Sequence, residues 1–315
     1  MTTLRVTKPG LRATLQDEGR QHSQHLGLAP GGVADLHAWH WANKLLDNPP
    51  HGACVEVLLG QFEAIAEGSL SIAVTGASTQ ACINGEAVGN WQTHHLSKGD
   101  RLTLTETKSG LINYIAVSGG WQGDTFCNSR SMTPREGLAG FTVIGEDTTL
   151  TAAREAGHPK RFVPAHFIPD YTSPLVLRVV PSYQYHCFDN AAKAAFTQQL
   201  YAVSDRIDRM GYRLSGPALD VPNIQLLSEG IALGAVQVPA DGQPIVLLND
   251  RQTIGGYPKI GTVAALDCSK LSQRGPGTDV RFAFADLADI QGERMIFEAF
   301  FAQTGWTDDG KLIWR

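Results

Sequence analysis

Apolar residues in the first half of the chain recur in short runs that alternate with polar ones, and long helical stripes are rare. Residues 4–8 and 11–16 read as strands parted by Pro9-Gly10, a pair that halts extended structure and favours a turn. The same alternation or short apolar run predicts strands at 54–59, 61–66, 70–75, 101–105 and 111–117. Asn84-Gly85 suits a type I′ hairpin turn, because both residues tolerate positive φ. One stretch, 35–46, changes period: Leu36, Trp39, Ala42 and Leu46 share a helical face, and Asn48-Pro49-Pro50 stops it.

Between 152 and 173 the periodicity fades. Pro159, Pro164 and Pro169, with Pro174 just beyond, recur among polar residues, which reads as a linker over the surface. Beyond it the pattern predicts strands at 175–180, 231–238, 245–248, 263–266 and 279–284, and a helix at 190–200. The longest helical pattern, 287–303, offers Ile290, Met295, Ile296, Ala299 and Phe300 for an apolar face. So few strand–helix–strand alternations argue against a doubly wound parallel sheet. The expectation is a mainly β chain with a few helices, in two β-rich domains of 1–160 and 161–315.

Composition narrows the classes. With 43% hydrophobic and 18% charged residues, 315 residues can bury a sizeable core. The 33 glycines are dispersed, as many tight turns require. A formal charge of −5 without any Lys/Arg-rich run argues against a nucleic-acid groove. Five cysteines (Cys54, Cys82, Cys127, Cys187, Cys268) without a CxxC pair suggest free thiols in a reducing compartment. The N-terminal stretch lacks the apolar segment of a secretory signal, and no apolar run approaches the ~20 residues of a membrane span. A cytoplasmic location is expected.

The densest polar segment follows the apolar run 245–248: Asn249, Asp250, Arg251, Gln252 and Thr253 lead into Gly255-Gly256-Tyr257 and Lys259. An anion, a cation, an amide and a hydroxyl share one edge there, and glycines let backbone N–H groups approach a ligand. Arg251 can fork onto a carboxylate or phosphate, Asp250 can orient it or take a proton, and Gln252 or Tyr257 can position a ring. A polar hairpin turn held by its own Asp and Thr has the same composition. Arg209 and Arg213, four apart around Gly211, suit an oxyanion corner or a pair of surface arginines. Gln16-Asp17-Glu18-Gly19-Arg20 and Ser129-Arg130-Ser131 are either binding corners or charged turns. His37 and His40, or His94 and His95, invite a metal reading, but no HExxH pattern or completing ligand stands near them, and no metal is predicted. The chain has neither a GxSxG elbow nor a Walker A loop.

Taken in order, Gln16–Arg20, Ala42–Asn48 (ANKLLDN), Val55–Gly60 (VEVLLG), Asp208–Leu214 (DRMGYRL), Gln237–Val246 (QVPADGQPIV) and Asp250–Tyr257 (DRQTIGGY) resemble the motifs of the KipA-like family, that of the C-type subunit of 5-oxoprolinase. That family is also labelled allophanate hydrolase subunit 2, and is similar to part of the carboxyltransferase domain of urea carboxylase. The resemblance runs nearly end to end. It implies two cyclophilin-like β-barrels, and partners of the KipI-like type (the B-type subunit of 5-oxoprolinase) and the LamB/YcsF-like type (the A-type subunit). The assembly it implies cleaves 5-oxoproline to glutamate with ATP, bound through the complex. For that chemistry, which needs cationic and N–H groups around developing negative charge, the candidates for catalysis are Asp250, Arg251 and Tyr257. Gln16, Asp17, Arg20, Arg209, Arg213, Gln252, Thr253, Gly255 and Gly256 would bind substrate. A KipA-like regulatory module that sequesters a KipI-like kinase inhibitor, and a carboxyltransferase component fed by biotin on another protein, are the alternatives. The chain departs from the family at Asn128-Ser-Arg-Ser-Met132, where Gly-Ser-Arg-Ser-Thr is usual, and at Pro181-Ser-Tyr-Gln184, where Pro-Gly-Pro is favoured.

Overall fold

The computed structural model describes residues 2–141, 143–153 and 157–314. Strands dominate it, with four α-helices: α1 (Leu36–Leu45), α2 (Asn190–Gln198), α3 (Ala265–Leu271) and α4 (Leu287–Gln303). The chain divides into two compact units that are discontinuous in sequence. The first holds 1–21, 31–171 and 298–315; the second holds 22–30 and 172–297. A single cut at 160 therefore does not describe the division, because the chain leaves and re-enters each unit.

The first unit contains a six-stranded and a five-stranded sheet. Alternation along Phe62–Ala66 buries Phe62, Ala64 and Ala66, and these pack with Leu4, Val6, Val55, Val57, Leu102 and Ile115 in one core fed by both sheets. The other face of the five-stranded sheet is covered by α1, whose Trp39, Trp41, Ala42 and Leu45 are buried. Asp35 starts α1 by accepting the Ala38 N–H at 3.1 Å, which satisfies one of the amides left open at a helix start. Asn84 and Gly85 do adopt positive φ, 54° and 85°, between Ala81–Ile83 and Glu86–Val88.

The stretch expected to be a surface linker is anchored instead. Arg161 is buried, donating to the Leu45 carbonyl at 3.1 Å and pairing with Asp47 at 2.7 Å. Val163 and Tyr171 are buried too. Prolines removed the periodicity that would have betrayed this packing. Residues 154–156 of that stretch lie outside the described residues.

The second unit is a closed seven-stranded barrel. In order around it stand Leu175–Pro181, Lys259–Val263, Ala235–Gln237, Ile245–Leu247, Gly211–Ser215, Tyr201–Ile207 and Asp279–Phe284, which closes in parallel on Leu175–Pro181. Leu177, Val179, Val203, Leu214, Val236, Val246, Ile260 and Phe282 fill it. Closure leaves no open edge among these strands. A short ribbon, Glu229–Gly230 paired with Ile254–Gly255, stands apart from the barrel sheet. Two of the strands expected here lie elsewhere or are shorter. The strand expected at 263–266 lies earlier, at Lys259–Val263, and α3 begins at Ala265. The expected strand 231–238 shrinks to Ala235–Gln237.

Candidate functional site

In the first unit, the turn after the strand Arg12–Gln16 is built around Asp17. Its Oδ1 accepts from Ser129 Oγ (2.5 Å), Ser131 Oγ (2.7 Å) and the Gly19 N–H (2.9 Å), and its Oδ2 accepts from the Arg130 N–H (2.7 Å). Two segments more than a hundred residues apart, the 16–20 turn and the Ser-Arg-Ser run, thus form one corner. A carboxylate buried this deeply is tolerable only because four donors replace its water. Arg20, also buried, donates to Thr133 Oγ1 at 2.8 Å and pairs with Glu136 at 2.7 Å. Gln16 Nε2 donates to the Met132 carbonyl at 2.7 Å. These contacts hold the corner together, while the buried Gln16 Oε1 has no partner among the described residues. Met132, where the family usually has Thr, supplies that carbonyl through its backbone, so the substitution leaves the contact available.

In the second unit the 208–214 and 250–257 motifs also meet. Arg209 grips Asp250 with two parallel hydrogen bonds, Nε to Oδ2 at 2.9 Å and Nη2 to Oδ1 at 3.0 Å, and both residues are buried. The expected acid/base is therefore the anchor of an arginine. Arg251, the expected fork for a carboxylate or phosphate, is only 5% exposed. Its Nε donates to the Ile231 carbonyl at 3.0 Å and its Nη1 to the Leu248 carbonyl at 3.2 Å. Burial pushes its pKa down to about 10. A buried guanidinium must find acceptors, and it shares the Ile231 and Leu248 carbonyls with the Gln24 side chain and its own backbone N–H, partners that sequence composition cannot reveal. Arg213 lies across the barrel wall and pairs with Asp241.

The segment that follows faces outward. Gln252, Gly256 and Tyr257 are exposed, while Thr253 and Gly255 are half-buried. Asp250 and Arg251 thus form a rigid base from which an accessible edge, 252–257, projects. The two clusters lie in different units, 16–20 in the first and 250–257 in the second.

Sequence reasoning missed four residues beside that edge. Lys259, buried in its strand, places Nζ 2.6 Å from Glu229 Oε1. Gln184 Nε2 donates to the same oxygen at 2.6 Å. Hydrogen bonding from Lys259, joined by Gln184, holds the Glu229 carboxyl below the usual carboxylate range. Gln237, also buried, is the register partner of Lys259 in the neighbouring strand. A lysine and a glutamine inside otherwise apolar strands were the available signal. As for the histidines, His37 Nε2 lies 2.8 Å from the Phe167 carbonyl and His40 stacks on Phe301. Among the described residues no group of three or more His, Cys, Asp or Glu is arranged to hold a metal ion. Nor is any described helix long and apolar enough to cross a membrane.

Comparison with known proteins places this geometry among relatives. Residues 26–284 match the family described as carboxyltransferase domain, subdomain A and B. The chain is 32% identical over 307 residues to the C-type subunit of 5-oxoprolinase from Escherichia coli, covering 96% of this chain and 98% of that one. Among solved structures it is similar to TTHA0988 (TM-score 0.82, 30% identity), covering 90% of this chain but only 56% of that one. It shares its fold with Kluyveromyces lactis urea carboxylase (TM-score 0.88, 19% identity), covering 95% of this chain and 29% of that larger chain.

Proposed function

This chain belongs to the carboxyltransferase-domain family with subdomains A and B, and from that premise we propose that it is the C-type subunit of a 5-oxoprolinase. The supporting observation is the 32% identity that spans nearly the whole of both this chain and its Escherichia coli relative. The proposed reaction opens the lactam of 5-oxoproline to glutamate at the expense of ATP, with KipI-like and LamB/YcsF-like subunits completing the enzyme. An unstrained amide is a poor electrophile. Converting its oxygen to a phosphate ester makes the ring carbon attackable, and cationic and N–H groups then stabilise the developing charge.

The sequence carries no Walker A loop, and α1 and α2 begin at the carboxylates Asp35 and Asp189, which disfavour a phosphate there. ATP is therefore assigned to the assembled complex. Within this chain the accessible edge 252–257 is the substrate-facing element, with Tyr257 and Gln252 positioning the ring. Asp250, Arg209 and Arg251 set its geometry from below, acting through the backbone they hold. The description of the family as a carboxyltransferase domain favours one alternative, carboxyl transfer from carboxybiotin on another protein.

Reconstitution tests the reading. The chain with both partners, 5-oxoproline and ATP should release glutamate and ADP in equal amounts, and omission of this chain should abolish release. Glutamate formation by the two partners alone would overturn the assignment. Consumption of carboxybiotin, with no glutamate formed, would favour the carboxyltransferase reading. Tight binding to the KipI-like partner, without turnover by the full set, would favour a regulatory module.

A further inference from the structure

The outer face of the barrel carries polar groups that the fold itself does not use up. Along Ala235–Gln237 and just beyond, Val236 and Val238 enter the barrel core, so Gln237 faces outward. Lys259 stands opposite it in register and shares that face. An outward-facing lysine ordinarily reaches solvent, yet this one is only 5% exposed. The ribbon Glu229–Gly230/Ile254–Gly255 lies alongside. Glu229 binds the lysine, and a Cβ on Gly255 would stand 2.9 Å from Gln237 Nε2 and 2.8 Å from Ile231. Gly255 thus leaves the Gln237 amide facing bare backbone. Gln184, 6% exposed, also reaches Glu229. Its Nε2 is spent on Glu229, but its buried Oε1 has no partner among the described residues.

A buried carbonyl oxygen without a donor is rare, and calls for a ligand or water that supplies one. Lys259 meanwhile offers a cation whose partner, Glu229, stays well exposed on its outer side (38%). The ribbon has only two residue pairs, and such a ribbon is marginal on its own, so it can lift to admit a small molecule.

We propose that Lys259, Gln184 and Gln237, beneath the Glu229–Gly255 ribbon, form the subsite for a small carboxylic acid bearing an amide N–H. Lys259 Nζ takes the carboxylate in exchange for Glu229. Gln184 Oε1 accepts the ligand's N–H, and Gln237 Nε2 donates to its amide oxygen. The choice of 5-oxoproline as that acid rests on the function proposed above; the donor and acceptor pattern does not.

The test uses the full chain, with 5-oxoproline, N-acetylglycine and acetate as probes in ligand-observed NMR titrations. 5-Oxoproline and N-acetylglycine should bind, and acetate, which lacks the amide, at least tenfold more weakly. Gln184→Leu, which keeps the volume and removes the acceptor, should weaken the amide-bearing acids at least fivefold. Its effect on acetate should stay within twofold. Lys259→Met should weaken all three at least tenfold, with partial recovery in Lys259→Arg. Gln184→Leu guards against a trivial loss, because it leaves the buried cation paired with Glu229 and gives up only the Nε2 hydrogen bond to that carboxylate, so it should still fold, with a melting temperature close to wild type. Two results overturn the subsite: no probe bound by the wild-type chain, or constants within twofold of wild type in both Gln184→Leu and Lys259→Met. The proposed function fails separately. N-acetylglycine bound through Gln184 while 5-oxoproline is not would keep the subsite and remove the oxoprolinase reading. Cleavage of 5-oxoproline by the assembled enzyme, undiminished by Gln184→Leu and Lys259→Arg, would do the reverse.

Discussion

Arg251 shows how far one side chain can depart from its sequence context. It sits in a polar, glycine-bounded segment, yet its guanidinium is spent on the Ile231 and Leu248 carbonyls. Arg251→Lys keeps a charge but loses the fork, and one ammonium cannot occupy both sites. Losing a hydrogen bond from a charged donor costs about 1.5–3 kcal/mol, so urea denaturation should show a loss of that size, with activity falling in step with stability. An unchanged urea midpoint with lowered turnover would restore a direct substrate role. Asp267 is a second such case, with a pH dependence. Burial alone would raise its pKa, but hydrogen bonds from Arg178, with help from Lys270, outweigh burial and lower it. A depressed carboxyl stabilises the fold above its unfolded value, about 3.9, and that contribution disappears as pH falls through the lower folded value. Asp267→Asn should therefore be less stable at neutral pH by about 3 kcal/mol or more. The gap from wild type should narrow as pH is lowered from 5 towards 2, measured by chemical denaturation. A constant gap would mean that the charge of Asp267 is not what stabilises.

At the scale of elements, strands with clean alternation or a continuous apolar run were legible and those interrupted by charge were not. Phe62–Ala66 and Leu70–Ser78 follow their apolar pattern. Tyr201–Ile207 and Gly211–Ser215 escaped because Ser204, Asp205, Arg206 and Arg213 interrupt their apolar pattern, the first three where the two strands shift register. Val263-Ala-Ala-Leu266 was read as a strand because four apolar residues in a row carry no period, and only the turn that follows decides for α3. Glycine placement is also an element-scale matter. Gly76 has φ +90° where the strands Leu70–Ser78 and Ser109–Val117 shift register, and a Cβ there would stand 2.2 Å from the Ile112 carbonyl oxygen. Gly85 has a similar φ, +85°, but open space around it. Gly76→Ala should thus cost upwards of about 2 kcal/mol and Gly85→Ala about 1 kcal/mol, since both suffer backbone strain but only the first also clashes. Equal unfolding free energies for the two variants would show that the clash is relieved by the bulge.

The whole molecule is two units that exchange segments. Residues 22–30 belong with the second unit, and α4 carries the chain back so that 298–315 complete the first, where Phe300, Phe301 and Trp306 join the aromatic layer over α1. Excising either half at a single cut would expose that layer or remove its closing residues. A fragment ending at residue 297 should accordingly lose the cooperative unfolding of the full chain, as judged by calorimetry. A single sharp transition in the fragment would show that the layer is dispensable. Under the proposed function the full chain alone should hydrolyse no ATP in response to 5-oxoproline, and addition of both partner subunits should establish turnover. Robust activity of the isolated chain would contradict the assignment of ATP to the complex.

The sequence by itself determined the mainly β class, the positions of α1 and the Asn84-Gly85 turn, and the family to which the motifs belong. Each depends on local quantities: apolar period, φ tolerance, or the order of short motifs. Tertiary structure alone decided that Asp17 is wrapped by the Ser129–Ser131 run, that Arg209 grips Asp250, that Arg251 turns inward, and that Lys259 lies buried beside Gln237. Those outcomes depend on which backbone carbonyls and carboxylates are stripped of water by strands distant in sequence. A buried polar group must take whichever partner the fold brings within about 3 Å, and one chain read in order contains no record of that partner.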